Sequence, residues 1–143
     1  MRLLVSACLL GLCCRYDGQS KADENVLALL KGYTLVPVCP EQLGGLPTPR
    51  CPCEIRGDRV IARDGTDRTA EYRRGAEEAL RLCRLFFCEA AVLKARSPSC
   101  GAGQVYDGEF TGTLRAGNGV TAGLLIQSGV PVYTEENLPG GLW

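Results

Sequence analysis

Blocks of apolar residues separated by polar turns predict four buried strands along this chain of 143 residues. A short apolar run bounded by turn residues is typical of a strand that is buried on both faces of a sheet. Runs of this kind occupy residues 3–7, 33–38, 89–94 and 130–133. We therefore expect these four segments to form the sheet of the protein.

Apolar residues at helical spacing predict three helices between the strands. The clearest helix covers about residues 68–87, and Asp67 is placed to cap its first turn. One face of this helix is apolar and holds Tyr72, Ala76, Leu80, Cys83 and Phe87. Two shorter helices are predicted over residues 22–31 and 120–127. Gly32 is expected to end the first of them.

The segments between these elements predict loops and a hairpin. Four prolines and two adjacent glycines predict a loop over residues 40–53, and residues 54–61 predict a hairpin that turns at Gly57-Asp58. Residues 106–113 are expected to be irregular or to form a further hairpin. Because strands alternate with helices, right-handed crossovers and a parallel sheet follow. The predicted fold class is α/β: a small single-domain Rossmann-like sandwich over residues 1–143, with a mostly parallel sheet of about four strands plus a small hairpin.

The balance of charge restricts the partners of the protein. Sixteen basic residues equal sixteen acidic ones, whereas binders of nucleic acid or membrane surfaces generally carry a basic excess. No apolar stretch approaches the roughly 18 residues of a membrane span, and the run before Cys8 is shorter than the roughly 7–15 apolar residues of an export signal. We expect a cytoplasmic protein, a monomer or weak homo-oligomer that binds neither nucleic acid nor membrane. An exported protein with disulfides is the alternative.

The chain contains no histidine and nine cysteines. The missing histidine excludes Ser-His-Asp and Cys-His catalysis, His-ligated zinc and general acid–base chemistry by histidine. The cysteines are about 6% of the residues, below the roughly 8–10% of small disulfide scaffolds, and their number is odd. In the cytoplasm, clustered cysteines more often bind metal or carry out chemistry than form disulfides. Cysteine is therefore the expected chemical resource of this protein, as a thiolate or a metal ligand.

Cysteines follow three of the predicted strands. Cys8 follows the first strand, Cys39 follows the second, and Cys100 lies in the loop after the third. Ligands of an open parallel sheet bind outside the carboxyl ends of its strands, so these thiols converge on one edge if the strands are parallel neighbours. Three thiolates without histidine suit zinc or an iron–sulfur cluster. A structural zinc site would need a fourth protein ligand, whereas a four-iron cluster on three cysteines leaves one iron open to substrate.

The other six cysteines are weaker candidates for a metal site. They are Cys13, Cys14, Cys51, Cys53, Cys83 and Cys88. The first two lie near Cys8 and are able to supply a ligand, although adjacent residues rarely both point into one site. The next two form a C-x-C pair in the proline-rich segment, a spacing that can bind soft metals. The last two are expected to pack in the core as small apolar residues.

Six blocks of the sequence carry distinctive motifs. They are residues 5–11 (VSACLLG), 14–18 (CRYDG), 37–50 (PVCPEQLGGLPTPR), 93–101 (LKARSPSCG), 106–108 (YDG) and 119–122 (GVTA). In their order, and over nearly the whole chain, these blocks resemble the bacterial DUF523 family. The family includes the thiouracil desulfidases, which remove sulfur from thiolated pyrimidine bases.

The resemblance implies an oxygen-sensitive [4Fe-4S] cluster held by three cysteines, with the fourth iron binding the sulfur of a small thiolated base. Carried over motif by motif, the ligands are Cys8, Cys39 and Cys100. The resemblance also implies catalytic roles for Glu41 and Ser97, and it makes Ser99 a candidate for substrate binding. Replacing sulfur by oxygen in the base is a hydrolysis that needs no net electrons. Glu41 would deprotonate the attacking water.

The chain departs from the family pattern at Cys51 and Cys53, where proline and a small residue are expected. This departure leaves open a metal or redox role for the loop. Two other functions compete with desulfuration. A sulfur-transfer enzyme for thiolation would usually need a phosphate-binding loop, and no G-x-x-x-x-G-K-S/T motif is present. A zinc- or cluster-binding accessory or sensor protein is the alternative that is not an enzyme.

Overall fold

A parallel sheet lies at the centre of the structure, a computed structural model that describes residues 1–138. In chain order the strands are β1 (Arg2–Ser6), β2 (Thr34–Val38), β3 (Cys53–Arg56), β4 (Arg59–Ala62), β5 (Ala90–Leu93), β6 (Gln104–Tyr106), β7 (Leu114–Ala116) and β8 (Val132–Thr134). The α-helices are α1 (Glu24–Leu27), α2 (Pro40–Leu43), α3 (Thr69–Leu85) and α4 (Val120–Gln127). Short 3-10 helices cover Ala7–Leu10 and Ala28–Lys31.

The central sheet has the strand order β2-β1-β5-β8, and every neighbouring pair is parallel. The chain moves from β1 to one side to form β2 and then crosses to the other side to form β5. The direction of strand addition therefore reverses between β1 and β5. Ligands of open α/β sheets bind at such a switch point, outside the carboxyl ends of the strands. The predicted α/β class and four-stranded parallel sheet are confirmed.

Helices cover both faces of the central sheet, because side chains along each strand point alternately to the two faces. On one face, Leu3 and Val5 of β1 pack with Val26 of α1. On the other face, Leu4 of β1 packs with buried residues of α3 and α4. These are Ala79, Leu80, Cys83, Ala122 and Leu125. Within residues 1–138, no helix is both long and apolar enough to cross a membrane.

The segment predicted as a loop over residues 40–53 begins instead with a short helix. Pro40 occupies the first position of α2, where its missing N–H costs no hydrogen bond and its fixed φ suits a helix. The sequence prediction was wrong here because four prolines in fourteen residues obscure one helical turn. This turn places Glu41 just beyond the end of β2.

Both ends of α3 differ from the prediction. The N-cap position belongs to Arg68, yet the Asp67 carboxylate still accepts a hydrogen bond from the Thr69 N–H at 2.8 Å. At the other end the helix stops at Leu85. Phe87 was wrongly assigned to the apolar face, because its φ is 55° and 77% of its surface is exposed.

The helix predicted over residues 22–31 is present in two parts. It begins at Glu24, where the Asp23 carboxylate accepts hydrogen bonds from the N–H groups of Asn25 and Val26 at 3.0 Å each. From Ala28 onward the chain forms a 3-10 helix that ends before Gly32. The helical segment therefore begins two residues later than predicted and ends where predicted, and its second half is wound more tightly.

Two hairpins flank the sheet and are joined by a buried carboxylate. Strands β3 and β4 turn at Gly57-Asp58 as predicted, and β6 and β7 form a second hairpin around the loop 107–113. Glu54 of β3 accepts hydrogen bonds from the N–H groups of Gly108 at 3.0 Å and Phe110 at 3.1 Å. These bonds hold the loop of the second hairpin against the first.

Helices α2 and α3 touch backbone to backbone through two glycines. A Cβ atom on Gly44 would lie 2.0 Å from the Glu71 carbonyl oxygen. A Cβ atom on Gly75 would lie 2.0 Å from the Pro40 carbonyl oxygen. Contacts this short do not occur for real side chains, so only glycine allows this separation of the two helices. The contact fixes α2 against the much longer α3.

We predict that Gly75→Ala destabilises the protein although alanine favours helices. Its Cβ would force α2 away from α3, and overpacking of this kind should cost at least about 2 kcal/mol. Gly123→Ala in α4 is the matched control, because its Cβ would meet Asn118 at an ordinary 3.8 Å. The control should be neutral or stabilising by up to about 1 kcal/mol. Anaerobic urea unfolding measures both, and equal stabilities would contradict the helix contact.

Candidate active site

A cavity of about 490 Å³ lies at the carboxyl end of the central sheet, where the direction of strand addition reverses. Residues at or just beyond the ends of β1, β2 and β5 line it, among them Ser6, Val38 and Lys94. The β3–β4 hairpin and the loop 107–113 supply further parts of the wall. This volume suits a small-molecule ligand.

The three strand-end thiols all line this cavity. Cys8 lies on the 3-10 helix after β1, Cys39 is the N-cap residue of α2, and Cys100 lies in the loop after β5. The structure therefore brings them to one place, while their role as ligands stays a prediction. In residues 1–138, no three or more His, Cys, Asp or Glu side chains are gathered closely enough to hold a single metal ion.

A fourth thiol, Cys14, lies next to two of the strand-end thiols. A hydrogen bond to Cys14, together with burial, raises the pKa of Cys39. The hydrogen bond with Cys39 lowers the pKa of Cys14, but a hydrogen bond with Cys8 and burial outweigh it and raise the value to about 11. Burial raises the pKa of Cys100 to about 12. As free thiols, Cys14, Cys39 and Cys100 are protonated at neutral pH.

The carboxylate of Glu41 lines the cavity and is held at both oxygens. Arg50 Nη2 donates to Glu41 Oε2 at 3.2 Å, and the Tyr72 hydroxyl donates to Glu41 Oε1. The Arg50 side chain is 4% exposed and Tyr72 is 2% exposed. Burial and the neighbouring Glu41 charge raise the pKa of Tyr72, so its hydroxyl stays protonated as a donor. Because each carboxylate oxygen has two lone pairs, Glu41 can still accept a hydrogen bond from a water.

Ser97 lines the cavity, and its oxygen organises the loop that carries Cys100. The Oγ atom accepts hydrogen bonds from the N–H groups of Ser99 at 3.1 Å and Cys100 at 3.0 Å. With its lone pairs occupied by two N–H groups, the hydroxyl keeps its proton for donation. The geometry thus leaves Ser97 one hydrogen bond to offer.

Ser99, unlike Ser97, is buried away from the cavity. It is 1% exposed, its Oγ lies 2.8 Å from Thr121 Oγ1, and its side chain is not part of the cavity lining. This contact joins the Cys100 loop to the first turn of α4. The geometry therefore offers no direct contact between Ser99 and a molecule in the cavity.

Basic side chains outnumber acidic ones on the described cavity wall. The basic residues are Arg15, Lys21, Arg50, Arg63, Lys94 and Arg96, and the acidic ones are Glu41 and Glu54. Three of the basic residues form ion pairs with carboxylates that are not part of the wall. These pairs are Arg15–Asp17, Lys94–Glu135 and Arg96–Glu136. Of the six basic groups, Lys21 and Arg63 remain outside these ion pairs and the Arg50–Glu41 pair, so the wall carries a modest excess of positive charge.

The remaining cysteines separate into core, surface and cavity positions. Cys83 is buried in the core, as predicted, and Cys88 packs against the same core cluster. Cys13 and Cys51 are exposed. Cys53 alone of the C-x-C pair lines the cavity, and burial raises its pKa to about 11. The two members of that pair therefore lie in different environments.

Sequence reasoning missed Arg50 and Tyr72 as parts of this site. Arg50 ends the 37–50 block, but nothing in the sequence pattern indicated a role for it. Tyr72 was assigned to the apolar face of α3, and it is buried as expected. A signal was available for Tyr72, because a buried tyrosine hydroxyl usually needs a hydrogen-bond partner. The identity of that partner depends on the tertiary contact between α2 and α3.

Comparison with known proteins places the chain in a family. The profile of the 2-thiouracil desulfurase family matches residues 3–137. The uncharacterized protein YbbK of Bacillus subtilis (strain 168) is 40% identical over 146 residues, covering 95% of this chain and 97% of that protein. A solved structure of the [4Fe-4S]-dependent thiouracil desulfidase TudS (DUF523Vcz) superposes with a TM-score of 0.90 at 48% identity, covering 96% of this chain and 93% of that one.

The chain belongs to the 2-thiouracil desulfurase family. Its family name describes enzymes that remove sulfur from thiouracil, so the chain is an enzyme of this class. The family that the sequence motifs indicated is confirmed. The fold is confirmed as well, because the solved relative shares it over nearly the whole chain.

We predict that alkylation separates the cysteines by exposure in protein stripped of metal under anaerobic conditions. Exposed Cys13 and Cys51 should react with iodoacetamide at pH 8 at least about tenfold faster than Cys53 and Cys100. The latter two are buried, with pKa values raised to about 11 and 12, so few of their thiols are ionised. Peptide mass spectrometry measures each rate, and urea-unfolded protein is the control. Equal rates for Cys51 and Cys53 in folded protein would contradict the arrangement.

Proposed function

We propose that this protein removes sulfur from thiolated pyrimidine bases such as 2-thiouracil, with water as the source of the replacing oxygen. The observation that carries the proposal is that three strand-end cysteines, Glu41 and Ser97 line one cavity. Membership of the 2-thiouracil desulfurase family supports the substrate class. The solved relative that shares the fold is named as a [4Fe-4S]-dependent thiouracil desulfidase, which supports the same cofactor here.

The donor set fits an iron–sulfur cluster. Thiolates are the ligands that such clusters take, and all nine cysteines are free. We assign Cys8, Cys39 and Cys100 as the residues that would hold a [4Fe-4S] cluster. When bound, a cluster on three cysteines supplies an iron without a protein ligand, which attracts the sulfur of the base and polarises its C–S bond.

Glu41 is the proposed general base. Its carboxylate lines the cavity two residues beyond Cys39, and it retains lone pairs for a water molecule. One proton passes from the water to Glu41 as the water oxygen bonds to the ring carbon. The second proton of the water passes to the sulfur as the C–S bond breaks, and Glu41 then releases its proton to solvent. The products are the oxo base and hydrosulfide, so oxygen, sulfur and electrons balance without an oxidant or reductant.

Ser97 is the proposed hydrogen-bond donor to the base. Its two N–H contacts orient Oγ, and its remaining proton can reach a ring nitrogen or carbonyl oxygen of the substrate. A fixed donor holds the thiolated carbon in one orientation relative to the water, which is the positional contribution to the rate. The basic cavity wall stabilises the departing hydrosulfide. A substrate-binding role for Ser99 would act through the loop, since its side chain bonds to Thr121.

The cellular setting is proposed on chemical grounds. Nine free thiols and a cluster sensitive to oxygen suit the reducing cytoplasm. We propose a monomer or weak homo-oligomer that acts on a free small base and not on nucleic acid, consistent with sixteen basic and sixteen acidic residues. Size-exclusion chromatography under anaerobic conditions and a comparison of free 2-thiouracil with thiolated RNA test these points.

We predict that Cys8→Ala, Cys39→Ala and Cys100→Ala each lose the cluster after anaerobic reconstitution, because each removes one of three ligands. Iron and sulfide analysis with visible absorption near 400 nm measures the loss. Cys53→Ala is the matched control, since it removes a thiol from the same cavity and should keep full iron content. Cys83→Ala in the core should also keep it, at a stability cost of roughly 1 kcal/mol. Full iron in any of the first three variants, or a colourless zinc protein as the parent, would refute the assignment.

We predict that Glu41→Gln keeps the cluster and still binds 2-thiouracil, because the amide preserves the shape of the side chain. Its turnover should fall by roughly 10²–10⁴-fold, the usual contribution of a positioned general base. Glu41→Asp should recover part of the rate. Steady-state sulfide release measures both variants at matched iron content. A Gln variant within about threefold of the parent would exclude the base role.

A further inference from the structure

We infer that Tyr72 is a positioning residue, which holds the Glu41 carboxylate at the cavity wall in the orientation needed for catalysis. Its hydroxyl donates to Glu41 Oε1, and its ring is buried against apolar side chains of the β3–β4 hairpin. Neither the sequence motifs nor the family name assigns a role to this residue. The inference rests on the proposed role of Glu41 as the base.

The second anchor of Glu41 is Arg50, which lies nearer in the chain, only nine residues after Glu41. Arg50 Nη2 reaches Glu41 Oε2 at 3.2 Å and the Cys14 carbonyl oxygen at 2.9 Å. Arg50 Nη1 bonds to Thr48 Oγ1 at 2.9 Å and to the Pro47 carbonyl oxygen at 3.2 Å. With one donor on each oxygen, the carboxylate has a single position that satisfies both.

Tyr72 can serve as a fixed reference point because it lies on the longest helix. Helix α3 has 17 residues, and its buried face packs on the central sheet. By contrast, α2 has four residues and would be free to shift if it were held only by its own turn. The glycine contact of Gly44 and Gly75 brings the two helices together, so that the Tyr72 hydroxyl reaches Glu41.

The arrangement predicts a particular kinetic effect. Without the hydroxyl, one carboxylate oxygen loses its donor, and Glu41 spends less time in the orientation that meets the water. Misplacement of a reacting group lowers the rate of the chemical step. Substrate binding depends on other groups, so the binding constant should stay nearly unchanged.

The test compares Tyr72→Phe with Tyr133→Phe, a matched loss of a hydroxyl from β8 outside the cavity lining. Both proteins are reconstituted anaerobically and normalised to iron content. For Tyr72→Phe, kcat for sulfide release from 2-thiouracil should fall about tenfold or more, with KM within about twofold. Tyr133→Phe should match the parent in both constants.

A double-mutant comparison separates positioning from general damage to the fold. If Tyr72 acts through Glu41, adding Tyr72→Phe to Glu41→Gln should lower kcat by less than about twofold further. A merely structural role would lower the rate by the same factor in both backgrounds. An equal decrease in both backgrounds, or an unchanged kcat in Tyr72→Phe alone, would overturn the inference.

Thermal stability tests the contact between Tyr72 and Glu41 without any measurement of enzyme activity. The inference can therefore be judged separately from the proposed function. The melting temperature of Tyr72→Phe should fall by about 4–8 °C in the parent, because a hydrogen bond to a charged carboxylate is lost. In the Glu41→Gln background the decrease should be less than half as large. If no thiolated base releases sulfide from the parent, the proposed function fails, and this comparison still decides whether Tyr72 holds Glu41. Equal decreases in both backgrounds would refute the contact.

Discussion

The site depends on one constraint: parallel strands end at the same edge of a sheet. Strands β1, β2 and β5 are neighbours in the order β2-β1-β5, and each is followed by a cysteine-bearing segment. Cys8, Cys39 and Cys100 come from positions far apart in the chain, yet they share one cavity. A rigid sheet with buried strands gives those segments fixed starting points. The soft-metal site proposed at this edge therefore draws on the topology of the sheet and does not require a contiguous binding motif.

The second requirement of the site is a carboxylate beside the thiols, and it is met by tertiary packing. Glu41 lies on one helical turn, which by itself has little stability. Its place is set by Arg50 and Tyr72, and by the close approach of α2 to α3. Glu41 belongs to α2, but its position is thus set mainly by contacts with α3. Precise placement is the main contribution a protein can make when the cofactor supplies the Lewis acid.

The sequence pattern predicted those features that depend on local periodicity. The four parallel strands, helix α3 and the β3–β4 hairpin were recovered because apolar runs, helical spacing and the Gly57-Asp58 turn are local signals. The strand-end cysteines followed from the same pattern with one rule about open sheets. Helix α2 was missed because prolines dominate its segment. Phe87 was misplaced because helical spacing continues past the residue where the helix ends.

The contacts of the carboxylate lay beyond sequence reasoning for a physical reason. Tyr72 is 31 positions from Glu41, and their contact depends on Gly44 and Gly75 facing each other. The side-chain contact between Tyr72 and Glu41 exists only once α2 and α3 are packed together, so no local pattern in the sequence indicates it.

The most direct test of the account is turnover of 2-thiouracil in H₂¹⁸O by anaerobically reconstituted enzyme. Mass spectrometry of the product and a colorimetric sulfide assay follow both halves of the reaction. The account predicts uracil that carries one ¹⁸O atom and one hydrosulfide for each uracil formed. Uracil without the label, or no sulfide release by enzyme with its full iron content, would contradict it.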